Sequence, residues 1–299
     1  MERFFAIVNP AAGGGRSAKL AGSALARLRE RGLHADVIAS TGPGHAEQLA
    51  REAYDQGYRR FLAVGGDGTA HEILNGVFAN RRETKRIALG FLPLGTGNSF
   101  LRDFTNQGAQ ASLDALVAGR KRAVDLIRLT HQGGEIYSFN LLSVGFTADV
   151  AALTNRAFKP LGTLGYLLGV FLRVVQLRRR TFALKCDDDA DWDERPCLFL
   201  SFNNSKFTGG KMMIAPGADP ADGFIEFVRW APIGRLGLLS MLPRLYDGTH
   251  ITHPLASRRA VRHVEFRAAA PADVMIDGEV RTLECRALDV LPAAVDIYI

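Results

Sequence analysis

The first third of the chain alternates between short apolar runs and segments with apolar residues at helical spacing. The runs predict strands at residues 4–8, 35–39, 61–64 and 87–93. The helical spacing predicts helices at about residues 17–31, 44–56, 71–78 and 109–118. Strands that alternate with helices are typical of a parallel sheet covered on both faces. This pattern predicts a Rossmann-like α/β domain over residues 1–124.

From about residue 121 the pattern changes to short strand-like runs separated by turn residues. The runs lie at residues 124–130, 135–142, 181–185, 197–203, 223–228, 262–266, 273–276 and 280–286. They predict a mostly antiparallel β domain over residues 125–299, a sandwich or a partly closed barrel, whose last residues are free to pack back on the first domain. One exception, residues 161–177, is apolar and helix-like, and two roles stay open: a helix that covers the sheet or one whose apolar face touches a membrane.

Composition limits the class of protein. The chain has 299 residues and a formal net charge of +6, which favours an anionic partner such as nucleotide phosphates or an acidic membrane surface. Its basic residues are scattered and match no nucleic-acid-binding motif, so we expect no nucleic acid. The three cysteines form no CxxC pair and indicate reduced thiols in a cytoplasmic protein. We identify no signal peptide and no apolar run that could span a bilayer.

One glycine-rich turn follows the apolar run at residues 61–64 and precedes a helical pattern. It consists of Gly65, Gly66, Asp67, Gly68 and Thr69. Open α/β sheets bind ligands at such turns, because glycines let the backbone approach closely and helix N-termini suit phosphate oxygens. A carboxylate facing phosphate argues for Mg²⁺ between them. The alternative is a tight turn with the aspartate as a helix N-cap.

Two more glycine loops, residues 9–15 and 95–98, follow other strands of the same predicted sheet. Three such loops at one sheet edge describe a pocket lined with backbone amides for a polyphosphate. None matches GxxxxGK[ST] or GxGxxG, which argues against a P-loop NTPase and a nicotinamide-dependent dehydrogenase.

Together these motifs resemble the lipid kinase family with the diacylglycerol kinase catalytic domain. That family includes bacterial diacylglycerol kinases and the sphingosine and ceramide kinases, and it is distantly related to NAD kinase. The resemblance spans nearly the whole chain. It rests on Asn-Pro at 9–10, Thr-Gly-Pro-Gly-His-Ala at 41–46, the turn at 65–69 with Glu72, Pro-Leu-Gly-Thr-Gly-Asn at 93–98, Ala-Pro at 215–216, Asp-Gly at 222–223 and Asp-Gly-Glu at 277–279.

The resemblance implies an ATP- and Mg²⁺-dependent kinase that phosphorylates a lipid hydroxyl, such as that of diacylglycerol, in a cleft between the two domains. Asp67 would hold Mg²⁺ near the phosphates, with Asp125 assisting. The implied nucleotide contacts are Asn9, Pro10, Ala11, Ala12, Gly13, Thr41, Gly65, Gly66, Asp67, Gly68, Thr69, Glu72 and Thr96.

The resemblance also assigns roles in the second domain. Glu279 would accept the proton of the acceptor hydroxyl, with Asp277 as its partner; the alternative is an ordinary Asp-Gly hairpin turn. Asp219, Asp222 and Phe224 match a loop that binds a structural Mg²⁺ in similar enzymes, and a plain turn is the alternative.

Two positions depart from the family pattern. Ser99 stands where many bacterial members have aspartate, which removes a carboxylate from the metal network. His71 stands where asparagine is usual, and it either contacts phosphate or simply caps or packs.

Other functions stay open. The chain could phosphorylate a soluble acceptor, as NAD kinase does, or bind a nucleotide without catalysis. For a lipid kinase we expect a peripheral position at the inner membrane face. A homodimer through an exposed β edge is a further possibility.

Overall fold

The structure is a computed structural model that describes residues 3–79, 85–105, 108–154, 169, 172–174, 177, 179–268 and 270–299. The chain forms two compact units. Met1–Asp125 and Ala293–Ile299 make up the first unit, and Leu126–Pro292 the second. Most of the apolar segment at residues 161–177 lies outside the described residues.

Strands and helices alternate in the first unit. The strands are β1 (Phe4–Val8), β2 (Ala35–Ala39), β3 (Arg60–Gly65) and β4 (Ala88–Pro93). The helices are α1 (Arg16–Glu30), α2 (His45–Asp55), α3 (Asp67–Phe78) and α4 (Gly108–Ala118), with a 3-10 helix at Phe100–Asp103.

The remaining elements are mostly strands. They are β5 (Lys121–His131), β6 (Gly134–Ser138), β7 (Leu141–Gly145), β8 (Ala183–Cys186), β9 (Phe199–Asn203), β10 (Phe207–Thr208), β11 (Met212–Met213), β12 (Ile225–Trp230), β13 (Ala256–Val261), β14 (His263–Arg267), β15 (Ala272–Ile276), β16 (Glu279–Leu283) and β17 (Cys285–Tyr298). The described residues of this part of the chain also include two helices, α5 (Phe146–Leu153) and α6 (Arg235–Met241), and two 3-10 helices, Pro243–Leu245 and Thr249–Thr252.

The first unit is built on a parallel sheet with strand order β2-β1-β3-β4. The end of β17 adds a further parallel strand, with Asp296 opposite Ala88. Residues of β3 from Phe61 onward are all buried, because helices cover both faces of a parallel sheet. The predicted α/β architecture is confirmed.

The second unit contains a six-stranded antiparallel sheet with order β13-β12-β9-β7-β15-β16. Antiparallel pairs β5–β6, β14–β17 and β14–β8 form its other layer. Side chains from both layers share one core; Phe202 of β9 and Phe266 of β14, for example, lie edge to face with ring centroids 5.6 Å apart. A second apolar cluster packs α5 and α6 on the opposite face of the six-stranded sheet. The prediction of a mostly antiparallel sandwich is confirmed.

Some predicted elements were wrong in detail. The predicted strand at residues 135–142 is two strands, β6 and β7, separated by Phe139 and Asn140. The predicted strand at residues 280–286 is broken at Glu284. No strand was predicted for β13 and no helix for α5 or α6.

Candidate active site

Three loops of the first unit follow β1, β3 and β4, and backbone hydrogen bonds join them. The N–H of Asn9 donates to the carbonyl of Val64 (2.9 Å), and the N–H groups of Leu94 and Gly95 both donate to the carbonyl of Gly65 (2.8 Å each). Parallel neighbours end at the same edge of a sheet, which is where such folds bind ligands. The structure therefore brings the three glycine loops together.

Two of these loops touch through glycines. A Cβ added to Gly95 would lie 2.5 Å from the Cα of Gly66, closer than real Cβ atoms come to other heavy atoms. Gly13, with φ of 64°, packs against the carbonyl of Leu94 in the same manner, at 2.5 Å from a built Cβ. Gly68 differs, because a Cβ there would meet no atom of the described residues within 4 Å. The first turn of α3 thus faces open space.

Arg16, the first residue of α1, fastens the loop after β4. Its Nη2 donates to the carbonyls of Leu94 (3.1 Å) and Gly95 (2.6 Å), and its Nε donates to that of Leu94 (3.3 Å). Asn98, at a φ of 48°, donates from its side chain to the same Gly95 carbonyl (3.0 Å). One guanidinium and one amide therefore fix the path of this loop, since both bond to its main chain.

Asp67 is the first residue of α3. The N-cap is Gly66, so the alternative interpretation of Asp67 as an N-cap is wrong. Oδ2 of Asp67 accepts a hydrogen bond from the N–H of Ser99 (2.7 Å). The main-chain N–H of residue 99 thus orients this carboxylate, and this contact does not depend on which side chain residue 99 carries. A half-buried carboxylate at a helix N-terminus beside open space suits a hard cation that neutralises phosphate, so these residues fit Mg²⁺.

The loop after β2 is shaped by His45 and Glu72. Nδ1 of His45 accepts from the N–H of Thr41 (3.0 Å) and lies 2.9 Å from its hydroxyl oxygen. Oε2 of Glu72, on α3, accepts from the N–H of Ala46 in the first turn of α2 (3.0 Å). Glu72 therefore joins the starts of two helices. Gly44 is the N-cap of α2 and makes no side-chain cap hydrogen bond.

A cleft of about 180 Å³ borders the same loops. Residues 95–98, including Thr96, line it, and the guanidinium groups of Arg16 and Arg102 give it positive character.

Two other predicted residues of the first unit make local contacts. The side-chain oxygen of Asn9, in the first loop, accepts a hydrogen bond from the N–H of Ala11 (3.1 Å). His71 is buried in α3 with its ring against Asn75, so it packs there.

In the second unit, Asp277 and Gly278 form the tight turn between β15 and β16, with φ of 48° and 96°. The Asp277 carboxylate is buried. It accepts hydrogen bonds from four donors in the turn between β6 and β7. These are the hydroxyl of Ser138 (2.6 Å) and the N–H groups of Phe139 (3.3 Å), Asn140 (3.1 Å) and Leu141 (3.1 Å).

Glu279 has a different environment from Asp277, although only a glycine separates them. Glu279 is exposed at the start of β16, opposite Ile276. The turn therefore holds one carboxylate inside the protein and presents the other to solvent. The Glu279 carboxylate is therefore accessible to a substrate hydroxyl, as a general base must be.

The candidate metal residues of the second unit form turns. Asp219 Oδ1 accepts from the N–H of Ala221 (3.1 Å), and Asp222 Oδ1 accepts from the N–H of Phe224 (2.9 Å). Nearby, burial raises the pKa of Glu226, although its ion pair with Arg258 opposes the shift. Among the residues that the structure describes, no three His, Cys, Asp or Glu side chains are grouped to hold a metal ion. A structural Mg²⁺ bound here by carbonyls and one aspartate stays a prediction.

Asp125, in β5, is buried, and its Oδ1 accepts from the N–H of Ala293 (2.7 Å). This bond joins the start of β5 to the end of the chain within the first unit. Its assistance to Mg²⁺ stays a prediction.

Arg16, His45 and Ser138 were not identified from the sequence. Arg16 follows the three glycines of the first loop and His45 lies inside the 41–46 motif, so both carried a positional signal. Ser138 carried none, because its partner Asp277 is 139 positions away.

Comparison with known proteins adds family information. Residues 3–129 match the diacylglycerol kinase catalytic domain, and residues 140–299 match the YegS C-terminal NAD kinase beta sandwich-like domain. The chain is 28% identical to a diacylglycerol kinase of Mycobacterium tuberculosis, over 98% of this chain and 93% of that protein. It is 30% identical to a probable YegS-like lipid kinase of Pseudomonas aeruginosa, over 93% of this chain and 88% of that protein. In fold, it is similar to the crystal structure of a putative diacylglycerol kinase from Bacillus anthracis, with a TM-score of 0.76, 19% identity and coverage of 99% and 97%.

Proposed function

Because the chain belongs to the lipid kinase family that carries the diacylglycerol kinase catalytic domain, we propose that it transfers the γ-phosphoryl group of ATP to a lipid hydroxyl, such as that of diacylglycerol. Membership of this family makes the chain a kinase. The donor, the metal and the acceptor are the parts of the proposal that need a test.

One observation carries the proposal: the three glycine loops converge beside the Asp67 carboxylate at the open first turn of α3. Phosphoryl transfer depends mainly on positioning and on neutralising charge, and backbone amides supply both. Asn9 to Gly13, Thr41, Gly65 to Thr69, Glu72 and Thr96 would hold ATP. When bound, Mg²⁺ would neutralise phosphate charge at Asp67.

For the acceptor, Glu279 would take the proton of the attacking hydroxyl. Asp277 would act indirectly, because its carboxylate is bound to four donors and holds the turn that carries Glu279. The first unit would thus bind the donor, and the second would supply the base.

The membrane part of the proposal is peripheral binding to an acidic cytoplasmic surface, supported by the net charge of +6. Within the ranges that the structure describes, no helix is long and apolar enough to cross a membrane.

The test is transfer of radiolabel from ATP with Mg²⁺ to diacylglycerol, phosphatidylglycerol and a sphingoid base in mixed micelles, with NAD as a soluble acceptor. Wild type is compared with Asp67→Asn, Glu279→Gln and the control Glu265→Gln, which changes another exposed glutamate. We expect a labelled lipid from wild type and the control, and none from the other two variants.

Label on NAD alone would assign the chain to soluble acceptors. ATP binding without any labelled acceptor would favour a nucleotide-binding regulator. Either result would overturn the lipid kinase proposal.

A further inference from the structure

The second unit contains an apolar cavity of about 580 Å³, within the usual range for small-molecule sites. None of the candidate kinase residues lines it. Both layers of the sandwich contribute walls: Val144 and Leu283 from the six-stranded sheet, and Phe266 and Cys285 from the other layer.

The cavity exists because the sandwich core stops short at one end. Along one face of β15, Val274 and Ile276 are buried in the core, while Ala272 lines the cavity. Ala183 of β8, which pairs with Arg267 of β14 in the other layer, is an equally small lining residue. A longer side chain at either alanine would fill part of this space.

Polar groups gather at one side of the cavity. Arg267 forms an ion pair with Glu194, and its guanidinium lies 4.7 Å from the ring centroid of Trp192. Both side chains of this pair are more than half exposed, at 57% and 55%, so the pair contributes little stability and another anion can displace it.

Arg267 and Glu194 are the charged residues of an otherwise largely apolar lining. An anionic group that displaced Glu194 would pair with the Arg267 guanidinium at this edge of the cavity. A ligand that suits this arrangement is apolar along most of its length and anionic at one end.

We propose that this cavity binds one alkyl chain of an anionic lipid, with the charged headgroup at Arg267. The inference goes beyond the kinase proposal, because the cavity can bind such a lipid whether or not the chain phosphorylates one. Fatty acids and phosphorylated lipids share the required chemistry.

The first test titrates the full chain with dodecanoate below its micellar concentration by calorimetry. We expect one equivalent to bind to wild type, and Ala183→Leu and Ala272→Leu to weaken binding at least tenfold. Ala260→Leu, at an exposed alanine of β13, is the matched control and should bind as wild type does. Absence of saturable binding, or equal binding by the two cavity variants, would overturn the proposal.

The second test uses Cys285 in the unaltered cavity. Cys285 is partly exposed, whereas Cys186 and Cys197 are buried, so a thiol reagent should label Cys285 first. We expect dodecanoate to slow this labelling severalfold, with Cys285→Ala identifying the labelled site. Labelling at an unchanged rate would overturn the proposal even if the leucine variants fail to fold.

The headgroup is tested with Arg267→Gln. We expect roughly a tenfold loss of dodecanoate affinity and unchanged binding of the neutral dodecanol. Equal affinities of wild type and variant for dodecanoate would overturn the assignment of the anionic end.

Two further comparisons distinguish the sources of the lipid. Stronger binding of dodecyl phosphate than of dodecanoate to wild type would indicate a phosphorylated lipid, and the reverse a fatty acid. In the kinase assay, competition between dodecanoate and the acceptor would place the acceptor's own chain in the cavity. Binding without competition would indicate a separate lipid, and each of these results supports the cavity as a lipid site.

Discussion

The two units hold their candidate carboxylates in opposite ways. Asp67 is half-buried at the start of a helix beside open space, and a main-chain N–H of a neighbouring loop orients it. Asp277 is buried, and four donors from a single turn bind it. A carboxylate has about four acceptor positions, so most of the capacity of Asp277 is used within the protein. The comparison teaches that motifs of similar appearance can serve different purposes, here a proposed ligand contact and the shape of a hairpin.

The largest expected effect tests the first half of this comparison. Asp67→Asn keeps an oxygen that can accept from the N–H of Ser99 and removes the charge. We expect turnover to fall by a factor on the order of 10³, because charge neutralisation at the phosphates is lost. The melting temperature should change by no more than roughly 2 °C. Radiolabel transfer and calorimetry measure the two quantities, and more than about a tenth of wild-type turnover would contradict the assignment.

Asp277→Asn tests the second half. An asparagine amide would place N–H groups against backbone N–H donors, so we expect a loss of about 3 kcal/mol in the free energy of unfolding. The melting temperature should then fall by roughly 10 °C. Asp273→Asn is the control on the same strand, because its partner, the hydroxyl of Thr282 (2.7 Å), is exposed. A variant that lost activity at an unchanged melting temperature would make Asp277 a direct participant in the reaction.

Sequence patterns predicted the two units unequally, and the break between β6 and β7 shows why. The strands β1 and β2 were predicted to the residue, since local apolar patterns define them. Residues 135–142 also form one strand-like run, yet Asp277 binds the N–H of Asn140 from 137 positions away and stabilises a turn there. Local periodicity cannot reveal such a partner.

In the candidate site, too, the local features were predictable from the sequence and the contacts between distant residues were not. Sequence order placed the glycine loops correctly because parallel strands end at one edge. It could not show that Gly66 and Gly95 contact each other, or that Arg16 fastens their loop.

Arg16→Lys tests whether the position of the loop after β4 depends on the Arg16 side chain. An ammonium cannot reproduce the fork that bonds the carbonyls of Leu94 and Gly95. We expect the KM for ATP to rise about tenfold, equivalent to roughly 1.4 kcal/mol, while kcat changes little. Arg27→Lys, at an exposed position of α1, is the control. A fall in kcat with unchanged KM would show that the loop does not position the nucleotide.

The Asp193 carboxylate is bound by arginine guanidinium groups, whereas the Asp277 carboxylate is bound by a hydroxyl and backbone N–H groups. The contribution of Asp193 to stability should therefore depend on pH. Its hydrogen bonds with Arg195 lower its pKa to about 2, and Arg229 adds to the shift. A depressed folded-state pKa stabilises the protein above the unfolded value near 4, and this stability is lost as the pH falls towards 2. We expect Asp193→Asn to cost about 1 kcal/mol at pH 7, after allowance for solvent screening. Denaturant unfolding at pH 7, 5 and 3.5 measures the difference in free energy of unfolding between wild type and the variant. This difference should become smaller only at pH 3.5. A difference that stayed constant would contradict the assignment.

The smallest expected effect separates glycines that serve packing from glycines that serve a ligand. Gly68 has no neighbour within 4 Å of a built Cβ, and alanine is the better helix former, so Gly68→Ala should unfold no more easily than wild type. Its methyl group would enter the space proposed for the phosphates, and we expect ATP affinity to fall about fivefold, or roughly 1 kcal/mol. Gly95→Ala should behave in the opposite sense and lose stability first, because its Cβ would lie 2.5 Å from the Cα of Gly66. Melting temperatures and calorimetric titration with ATP and Mg²⁺ measure both variants. If Gly68→Ala bound ATP as tightly as wild type, the nucleotide would have to lie elsewhere than over the first turn of α3.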